Sequence, residues 1–500
     1  MSREAGVLLA ISSLPSKYGI GCFSKSAYNF VDWLKEAGQT YWQILPVGPT
    51  SYGDSPYQSF STFAGNPYFI CLEDLIKEGV LTEEECDAVD FGEKEDDIDY
   101  EKLYKGRFPL LRKAYERSNI SENPEYCKFV QENSWWLSDY ALFMAVKNFF
   151  DGVEWTQWPE DIRLRYGYAL DYYRKELYFE IEFQQYMQFK FFQQWYALKS
   201  YTNSRGIRIV GDIPIYVAMD SADTWAHPEL FQLDERNIPV AVAGCPPDGF
   251  SATGQLWGNP LYRWDYHRNT QYAWWVSRLW YCFNLYDVVR IDHFRGFDEY
   301  FSIPYGEDSA VNGHWEKGPG IELFRRVEQC LGWHPVIAED LGYVTDSVRR
   351  LVWETGFPGM KVLEFAFDSR DSGSANDYLP HNYPENCVVY TGTHDNETVV
   401  GWLDSITEEE QKMARDYLCD HVTPKKELYK PFVALAMRSN ARMCIIPIQD
   451  YLGYDNTCRM NKPSTVGTNW RWRVQEKELT EELQKEILHT TKTFGRMNWN

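Results

Sequence analysis

Five hundred residues is the length of about three average domains, or of one large barrel with insertions. The chain has 50 lysines and arginines against 73 aspartates and glutamates, and this net charge of −23 disfavours binding to nucleic acid or to an anionic membrane. A hydrophobic content of 44% excludes a disordered chain, and no stretch reaches the roughly 18 apolar residues of a membrane span. The chain begins without a signal-peptide core and its eleven cysteines form no CxxC pair, so we expect reduced thiols and a cytoplasmic protein.

Eight short apolar runs recur along the chain, and most of them end on a polar or turn residue. Continuous apolar runs of this length are typical of strands buried on both faces, and therefore of a parallel sheet. Helical patterns fill the intervals, for example at 406–421 and at 319–332, which ends in glycine. The eight runs are residues 6–12, 41–47, 207–212, 286–292, 334–340, 360–365, 387–395 and 442–450.

Eight strands that alternate with helices predict an α/β fold of the (β/α)₈ TIM-barrel class. The alternative is a doubly wound open sheet, but no GxGxxG or GxxxxGK[ST] phosphate-binding motif follows any of the runs. About 50 residues remain after the eighth run, so no C-terminal β-sandwich is predicted. We therefore expect a single catalytic domain over residues 1–500.

The uneven spacing of the runs predicts two insertions in the barrel. The segment 80–165 begins acidic and becomes rich in tryptophan, and we interpret it as a mostly helical subdomain with a solvated acidic face. Apolar residues between 171 and 200 then predict one long helix that returns to the barrel. The segment 228–266 is rich in Gly, Pro and Asn, which predicts a loop subdomain over the barrel mouth.

Carboxylates, histidines and an arginine gather at the predicted strand ends. In such a barrel the catalytic groups lie at the C-terminal ends of the strands, where the following loops converge. Helix N-capping would explain a single aspartate there, but it explains a whole cluster poorly, because buried acidic groups are costly unless they are paired. The clustered residues are Asp212, Arg290, Asp292, His293, Glu339, His394 and Asp395.

Paired carboxyl groups without a metal-binding pattern indicate glycoside chemistry, in which one acid protonates the leaving oxygen and the other attacks the sugar or activates water. Arg290 lies two residues before Asp292 on one strand, so it projects to the same side and is expected to keep Asp292 ionised. Glu339 must start protonated, and a nearby carboxylate could raise its pKa. The nine histidines form no HExxH motif or Cys/His cluster, so we expect no metal and no other cofactor.

Several long motifs resemble the 4-α-glucanotransferases, a family of the α-amylase superfamily also known as amylomaltases, disproportionating enzymes or glycoside hydrolase family 77. The resemblance extends over nearly the whole chain and implies a TIM barrel that acts on maltooligosaccharides and α-1,4-glucans without a cofactor. The segments that resemble the family are 6–21, 48–70 (GPTSYGDSPYQSFSTFAGNPYFI), 211–231, 246–262 (PPDGFSATGQLWGNPLY), 288–297 (VVRIDHFRGF), 337–342 (IAEDLG), 359–367 and 390–398 (YTGTHDNET).

The resemblance also implies a role for each matched position. Asp292 matches the nucleophile that forms a covalent glucosyl–enzyme, Glu339 the general acid/base, and Asp395 the carboxylate that stabilises the oxocarbenium-like state. Residues 246–257 match a lid over the acceptor side, and a C-terminal segment near the groove carries Ser464 where glycine is usual. The positions that match substrate-binding residues are Tyr57, Asp212, Trp257, Arg290, His293, His394 and Asn461, followed by Pro463, Asn469 and Trp470 near the groove.

Two other functions are compatible with parts of this pattern. A hydrolase of the same superfamily would use the same carboxylates, and only water exclusion by the lid and the acceptor sites would distinguish it. A non-catalytic glucan-binding protein would keep aromatic residues such as Tyr57 and Trp257 but would not need the carboxylate trio. Taken singly, either aromatic could be a core residue, but their Gly-, Pro- and Ser-rich surroundings favour sugar contact. A retaining transferase predicts that the Asp292 and Glu339 carboxyl groups lie about 5–5.5 Å apart.

Overall fold

The computed structural model describes residues 3–51, 53–247, 251–342, 344–371, 373 and 375–497. In these ranges the strands are β1 (Glu4–Leu8), β2 (Tyr41–Gln43), β3 (Arg208–Ile213), β4 (Ala241–Cys245), β5 (Gln255–Pro260), β6 (Val288–Ile291), β7 (Glu299–Pro304), β8 (His314–Lys317), β9 (Val336–Ala338), β10 (Gly359–Val362), β11 (Cys387–Tyr390) and β12 (Met443–Pro447).

The α-helices of the described ranges follow in chain order. They are α1 (Lys25–Glu36), α2 (Leu72–Lys77), α3 (Glu83–Asp87), α4 (Tyr100–Arg117), α5 (Pro124–Glu132), α6 (Ser134–Phe149), α7 (Glu160–Arg163), α8 (Gly167–Glu176), α9 (Tyr178–Ser204), α10 (Ala222–Ala226), α11 (Trp264–Asn269), α12 (Ala273–Leu285), α13 (Ile321–Leu331), α14 (Asp346–Thr355), α15 (Val399–Ser405), α16 (Glu408–Leu418), α17 (Tyr429–Arg438), α18 (Ile448–Leu452) and α19 (Glu481–Thr493).

Eight parallel strands form the barrel, in the order β10-β11-β12-β1-β2-β3-β6-β9. Each of them overlaps one of the eight apolar runs, and only β1, β3 and β10 extend beyond their runs, by at most two residues. This agreement confirms the predicted TIM barrel. The remaining seam, between β9 and β10, has one backbone hydrogen bond from Ala338 N to Pro358 O at 3.0 Å. Beside it the Asp340 carboxylate accepts from Met360 N at 2.7 Å. The Asp340 side chain therefore takes the place of a backbone acceptor in the hydrogen-bond ladder between β9 and β10, where the barrel closes.

The two faces of the barrel strands bury different residues. Alternation along each strand sends one set of side chains outward to the helices, such as Ile209, Val289 and Val389. The other set fills the barrel interior, where all eight strands contribute to one apolar layer. That layer consists of Leu8, Tyr41, Val210, Val288, Ile337, Met360, Val388, Tyr390 and Ile445.

Helix boundaries on the outer ring follow from local sequence. In α13 the buried residues Leu323, Phe324 and Val327 recur with helical spacing, so one face of the helix packs on the barrel. Gly332 then stops the helix with φ at +79°, a conformation that glycine adopts without steric cost. In α14 the Thr345 hydroxyl caps the first turn and Gly356 ends the last turn at φ +69°.

The long connection between β2 and β3 contains α2 to α9. One long helix was expected over 171–200, but two helices are found, α8 and α9, which meet at Leu177. Both helices contact α6, and neither a glycine nor a proline lies at the break.

A second sheet, antiparallel and of four strands, lies outside the barrel in the order β5-β4-β7-β8. The composition of 228–266 indicates a loop, but this segment contributes β4 and β5. β4 also pairs with β7, which begins only at Glu299, so local composition gave no sign of this pairing. Residues 248–250 of the expected lid lie outside the described residues.

Among the described residues, no helix has both the length and the apolar character needed to cross a lipid bilayer.

Candidate active site

The strand period of two places polar side chains directly above the apolar layer of the barrel interior. Asp212 follows Val210 by two residues on β3, and Arg290 follows Val288 by two residues on β6. Asp212 and Arg290 are also register partners, so the two side chains meet inside the barrel. One residue beyond the paired Ile291 and Ala338, at the C-terminal ends of β6 and β9, come Asp292 and Glu339.

Arg290 joins two carboxylates at the base of this site. Its guanidinium donates to Asp212 Oδ2 at 2.6 Å and to Asp292 Oδ1 at 3.2 Å. The Tyr57 hydroxyl also donates to Asp212 Oδ2, at 2.8 Å. Arg290 and Asp212 are almost fully buried, whereas the Asp292 side chain is 27% exposed and is the carboxylate of the two that a ligand can reach.

Backbone amides fix the Glu339 carboxylate. Oε2 accepts from His293 N at 2.6 Å, and Oε1 accepts from Leu341 N at 2.8 Å. His293 has a φ of +48°, a left-handed conformation that is uncommon for a residue other than glycine. This conformation turns the chain after Asp292 so that the His293 N–H group points at Glu339, at the end of β9. One tight loop therefore connects the carboxyl groups of Asp292 and Glu339.

Asp395 lies across the site in the loop after β11. Its Oδ1 accepts from Asn461 Nδ2 at 2.6 Å, and its Oδ2 lies 3.4 Å from His394 Nε2. Arg459 donates to the Asp395 carbonyl at 2.7 Å and to the Asn461 carbonyl at 2.8 Å. The C-terminal segment therefore holds this loop in place through side chains from beyond the last barrel strand.

Aromatic rings line two sides of the site. The Tyr57 ring stacks on His394 with 5.1 Å between the centroids, and Trp470 lies at 5.9 Å from Tyr57. On the other side, the Trp257 ring meets His293 edge to face at 4.8 Å. Such amphipathic rings suit contact with the apolar face of a sugar.

Three buried polar atoms of the site have no hydrogen-bond partner among the described residues: Asp212 Oδ1, His293 Nε2 and His394 Nδ1. An unpaired buried polar atom is costly, so native proteins rarely leave several in one place without a function. All three are buried in the cluster around Asp292 and Asp395.

The carboxyl groups of the site have shifted pKa values in opposite directions. Withdrawal from water raises the pKa of Asp292 to about 7, and although Arg290 opposes this, the charges of Glu339 and Asp212 add to it. The same withdrawal raises the pKa of Glu339, against the opposing effects of Arg290 and the two backbone amides. For Asp395, burial is outweighed by His394 and Asn461, which hold its pKa well below the usual range.

Arg290 was expected to keep Asp292 ionised, and this stays a prediction. The ion pair exists, but the shorter contact of Arg290 is with Asp212, so its charge is shared. Burial and the nearby Glu339 carboxylate oppose the ionisation of Asp292 in the free site. The two carboxyl groups therefore titrate as a coupled pair, and both have raised pKa values.

The histidines of the site differ as well. Burial, with Arg295 nearby, lowers the pKa of His293 to about 3, so this ring is neutral near pH 7. Burial also opposes the charged form of His394, but the adjacent Asp395 carboxylate raises its pKa above the ordinary value. His394 and Asp395 thus favour each other's charged form across a distance of 3.4 Å.

All the positions predicted as catalytic or substrate-binding lie around this one cleft. Sequence reasoning missed Arg459, which supports the Asp395 loop, and Glu364, a buried carboxyl group behind that loop. Burial, with Asp450 and Glu397 nearby, raises the pKa of Glu364 well above its usual value. A Cβ at Gly392 would lie 2.8 Å from Glu364 Oε1, so the absence of a side chain at Gly392 makes room for this carboxyl group. The glycine between two threonines was the feature of the sequence that could have indicated such a close approach.

Among the described residues, one group of His, Cys, Asp or Glu donors is close enough together to hold a metal ion. It consists of Cys22, Cys71 and Glu73, and it contains none of the residues of the cleft.

Comparison with known proteins identifies the family and supports the fold. The family described as 4-alpha-glucanotransferase, glycoside hydrolase family 77, matches residues 9–480. The chain belongs to this family. A 4-alpha-glucanotransferase of Streptococcus pneumoniae serotype 4 is 48% identical over 504 residues, which cover 100% of this chain and 98% of the relative. One from Clostridium butyricum is 46% identical over 488 residues, covering 97% of this chain and 99% of the relative.

A solved structure agrees over the same length. The amylomaltase from Streptococcus agalactiae in complex with acarbose superposes with a TM-score of 0.95 at 41% identity, covering 99% of this chain and 100% of that chain. The family membership makes this chain a transferase that moves α-1,4-glucan segments between glucan chains, as the sequence motifs predicted.

Proposed function

We propose that the transfer proceeds by a retaining double displacement, with Asp292 as nucleophile, Glu339 as general acid/base and Asp395 as the group that stabilises the transition state. The observation that supports this best is the arrangement of Asp292 and Glu339 at adjacent strand ends, with their pKa values raised together. A pair that shares one proton supplies both an ionised nucleophile and a proton donor.

In the first half-reaction, Glu339 gives its proton to the glucosidic oxygen that leaves, and an Asp292 oxygen bonds to the anomeric carbon as the C–O bond breaks. Glu339 becomes negative as bond formation to the sugar neutralises the Asp292 carboxylate. In the second half-reaction, Glu339 takes the proton of an acceptor 4-hydroxyl, whose oxygen displaces Asp292 from the sugar. Two inversions retain the configuration of the anomeric carbon.

The surrounding residues bind and orient the sugar. His293 Nε2 and His394 Nδ1 hydrogen-bond ring hydroxyls, which would satisfy these unpaired atoms. Asp212 orients Arg290 and Tyr57 from below. Asp395, held ionised by His394 and Asn461, stabilises the positive charge that develops at the ring. Tyr57 and Trp257 pack against the sugar faces on opposite sides of the cleft.

The proposal includes the organisation of the chain around this cleft. Residues 1–500 form one catalytic domain, in which the insertion 80–165 is a helical subdomain and 228–266 lies over the active site. The part at 246–257 favours an acceptor sugar over water. Maltooligosaccharides and α-1,4-glucans are both donor and acceptor, and the protein works in the cytoplasm. Hydrolysis is the alternative outcome, since the same carboxylates would serve it.

Product analysis with maltotriose tests the proposal. We expect glucose together with maltotetraose, maltopentaose and longer chains, and no net rise in reducing ends. Asp292→Asn should abolish both transfer and the covalent intermediate, and Glu339→Gln should lower the rate by about 10²–10⁴-fold. Asp404→Asn, at a carboxylate 64% exposed on α15, is the matched control and should keep full activity.

Other outcomes would contradict parts of this scheme. Glucose and maltose with rising reducing ends would identify hydrolysis and overturn the role given to the lid. An Asp292→Asn protein that still remodels oligosaccharides would overturn the nucleophile assignment.

A further inference from the structure

Cys22 and Cys71, which are distant in sequence, and Glu73 meet where the loop after β1 contacts the start of α2. Cys22 lies in the loop between β1 and α1, Cys71 immediately precedes α2, and Glu73 lies in the first turn of α2. The Sγ atoms and a carboxylate oxygen of these residues all lie within 4.8 Å of one another. We propose that Cys22, Cys71 and Glu73 form a binding site for a divalent metal ion of the zinc class.

The spacing of the donors fits this ion. Zinc binds thiolates at about 2.3 Å and carboxylates at about 2.0–2.2 Å, so tetrahedral donors lie about 3.4–3.8 Å from one another. Cys71 Sγ is already 3.2 Å from Glu73 Oε2. The cluster therefore needs only small side-chain shifts to close around an ion.

A fourth donor is available at the same place. The Ser16 hydroxyl lies 3.7 Å from Cys22 Sγ, on the loop that carries this cysteine. It can complete the coordination directly or through a water molecule. Both cysteines are buried, whereas Glu73 is only half-buried, so the ion can enter along the carboxylate.

The position of Cys71 is fixed from behind. Its N–H group donates to Gln194 Oε1 at 2.7 Å, which ties the cysteine to the long helix α9. Support of this kind holds a ligand in its coordinating orientation.

The charges of the Cys22–Cys71–Glu73 cluster are nearly balanced when a divalent ion is bound. The two thiolates and the carboxylate carry three negative charges, so the bound ion leaves one negative charge. Arg107 is fully buried nearby and donates to Tyr18 O at 3.1 Å and to Ile70 O, so its guanidinium lies between the same two segments. Its positive charge compensates the remaining negative charge.

A disulfide between Cys22 and Cys71 is the competing interpretation of the pair. It would need neither Glu73 nor Ser16, whereas a metal ion uses the carboxylate that already contacts Cys71. Metal binding would join the loop after β1 to the start of the helical segment, and thus stabilise both.

The experiment uses the full chain, reduced and treated with a chelator. Zn²⁺ is titrated in competition with a chromophoric chelator, and Co²⁺ is used to detect thiolate coordination by its charge-transfer and ligand-field absorption. We expect one equivalent per chain with a tetrahedral Co²⁺ spectrum, and a Tm that rises on addition of Zn²⁺. Cys22→Ser and Cys71→Ser should lose the spectrum, and Glu73→Gln should weaken binding by at least about 10-fold.

Controls separate this site from adventitious binding and from misfolding. Cys330→Ser removes an exposed cysteine and should bind Zn²⁺ as the unmodified protein does. Glu73→Gln keeps the size of a half-buried side chain, so it tests the site even if a cysteine variant unfolds. Absence of stoichiometric binding, binding that persists in Cys71→Ser, or a Cys22–Cys71 disulfide in the isolated protein would overturn the proposal.

Discussion

At the residue scale, the charges of the cleft depend on which partner each buried group has. Arg290 contacts two carboxylates and favours the more buried Asp212, so Asp292 keeps a raised pKa of about 7. Asp395 has an amide and a histidine as partners and is ionised far below neutral pH. Asp292 and Asp395 are both aspartates, and their pKa values differ because their neighbours differ.

The pH dependence of transfer follows from the shared proton. Activity needs Asp292 ionised and Glu339 protonated, so we expect a bell-shaped profile of kcat/KM with at least one limb near pH 7. The loss at high pH comes from deprotonation of the pair, and the loss at low pH from protonation of Asp292. Initial rates with maltotriose between pH 4 and about pH 9 measure both limbs.

Glu339→Gln separates the two groups. It replaces the group whose deprotonation causes the loss at high pH, so the high-pH limb should disappear, whereas the low-pH limb, where Glu339 is already neutral, should stay in place. A glycosyl fluoride donor, which needs little protonation to leave, makes the profile measurable in the variant. A loss at high pH that persists in Glu339→Gln would contradict the assignment of that limb to Glu339.

Ser464 shows the effect of backbone conformation at a single position. Its φ is +64°, which explains why the family resemblance leads us to expect glycine there. Ser464→Gly should raise the free energy of unfolding by about 0.5–1 kcal/mol, because glycine adopts this conformation without steric strain. Chemical denaturation measures the change. Ser118→Gly, at a residue with φ −80°, should be neutral or destabilising, and an equal gain there would contradict the reasoning.

At the scale of elements, helices with complete local signals agree with the sequence most closely. The helix expected over 406–421 is α16, which begins in a capping box formed by Thr407 and Glu410. By contrast, the break at Leu177 and the strands β4 and β5 have no signal of this kind. Element boundaries are therefore predictable where side chains cap their own backbone.

The capping box gives a direct test. Thr407 Oγ1 accepts from Glu410 N at 3.2 Å, and Glu410 Oε2 accepts from Thr407 N at 3.0 Å. Thr407→Ala should destabilise the first turn of α16 by about 1 kcal/mol, and Thr407→Ser should restore most of it. Hydrogen exchange of the peptide around α16 measures the local effect. Unchanged exchange in Thr407→Ala would show that packing alone holds this turn.

At the scale of the whole molecule, the seam between β9 and β10 is the weakest part of the barrel ladder. Asp340 replaces a backbone acceptor for Met360 N, and the absence of a side chain at Gly359 makes room for it, since a Cβ there would lie 2.4 Å from Asp340 Oδ2. The seam is also beside Glu339, so closure of the barrel and placement of the acid/base residue depend on the same turn.

Asp340→Ala should lower the free energy of unfolding by about 1–3 kcal/mol, because it leaves the buried Met360 N–H group without an acceptor. It should lower kcat as well, through displacement of Glu339. Thermal unfolding and initial rates measure the two effects. Asp171→Ala, at a carboxylate 82% exposed on α8, is the control. A stable Asp340→Ala protein would show that the seam closes without this side chain.

The sequence by itself determined the barrel strands, the outer helices and the positions around the cleft. These follow from continuous apolar runs, which are local features of the chain, and from carboxylates placed at strand ends, where the barrel must bring them together. The motifs of the family then named Asp292, Glu339 and Asp395 individually.

Only the tertiary structure decided how charge is shared among these groups. Arg459 and Asn461 reach the Asp395 loop from beyond β12, and β7 pairs with β4 across a long stretch of chain. The preference of Arg290 for Asp212 and the meeting of Cys22 with Cys71 likewise depend on contacts between distant segments. Sequence patterns describe a residue and its neighbours along the chain, whereas pKa values and ligand sites depend on neighbours in space.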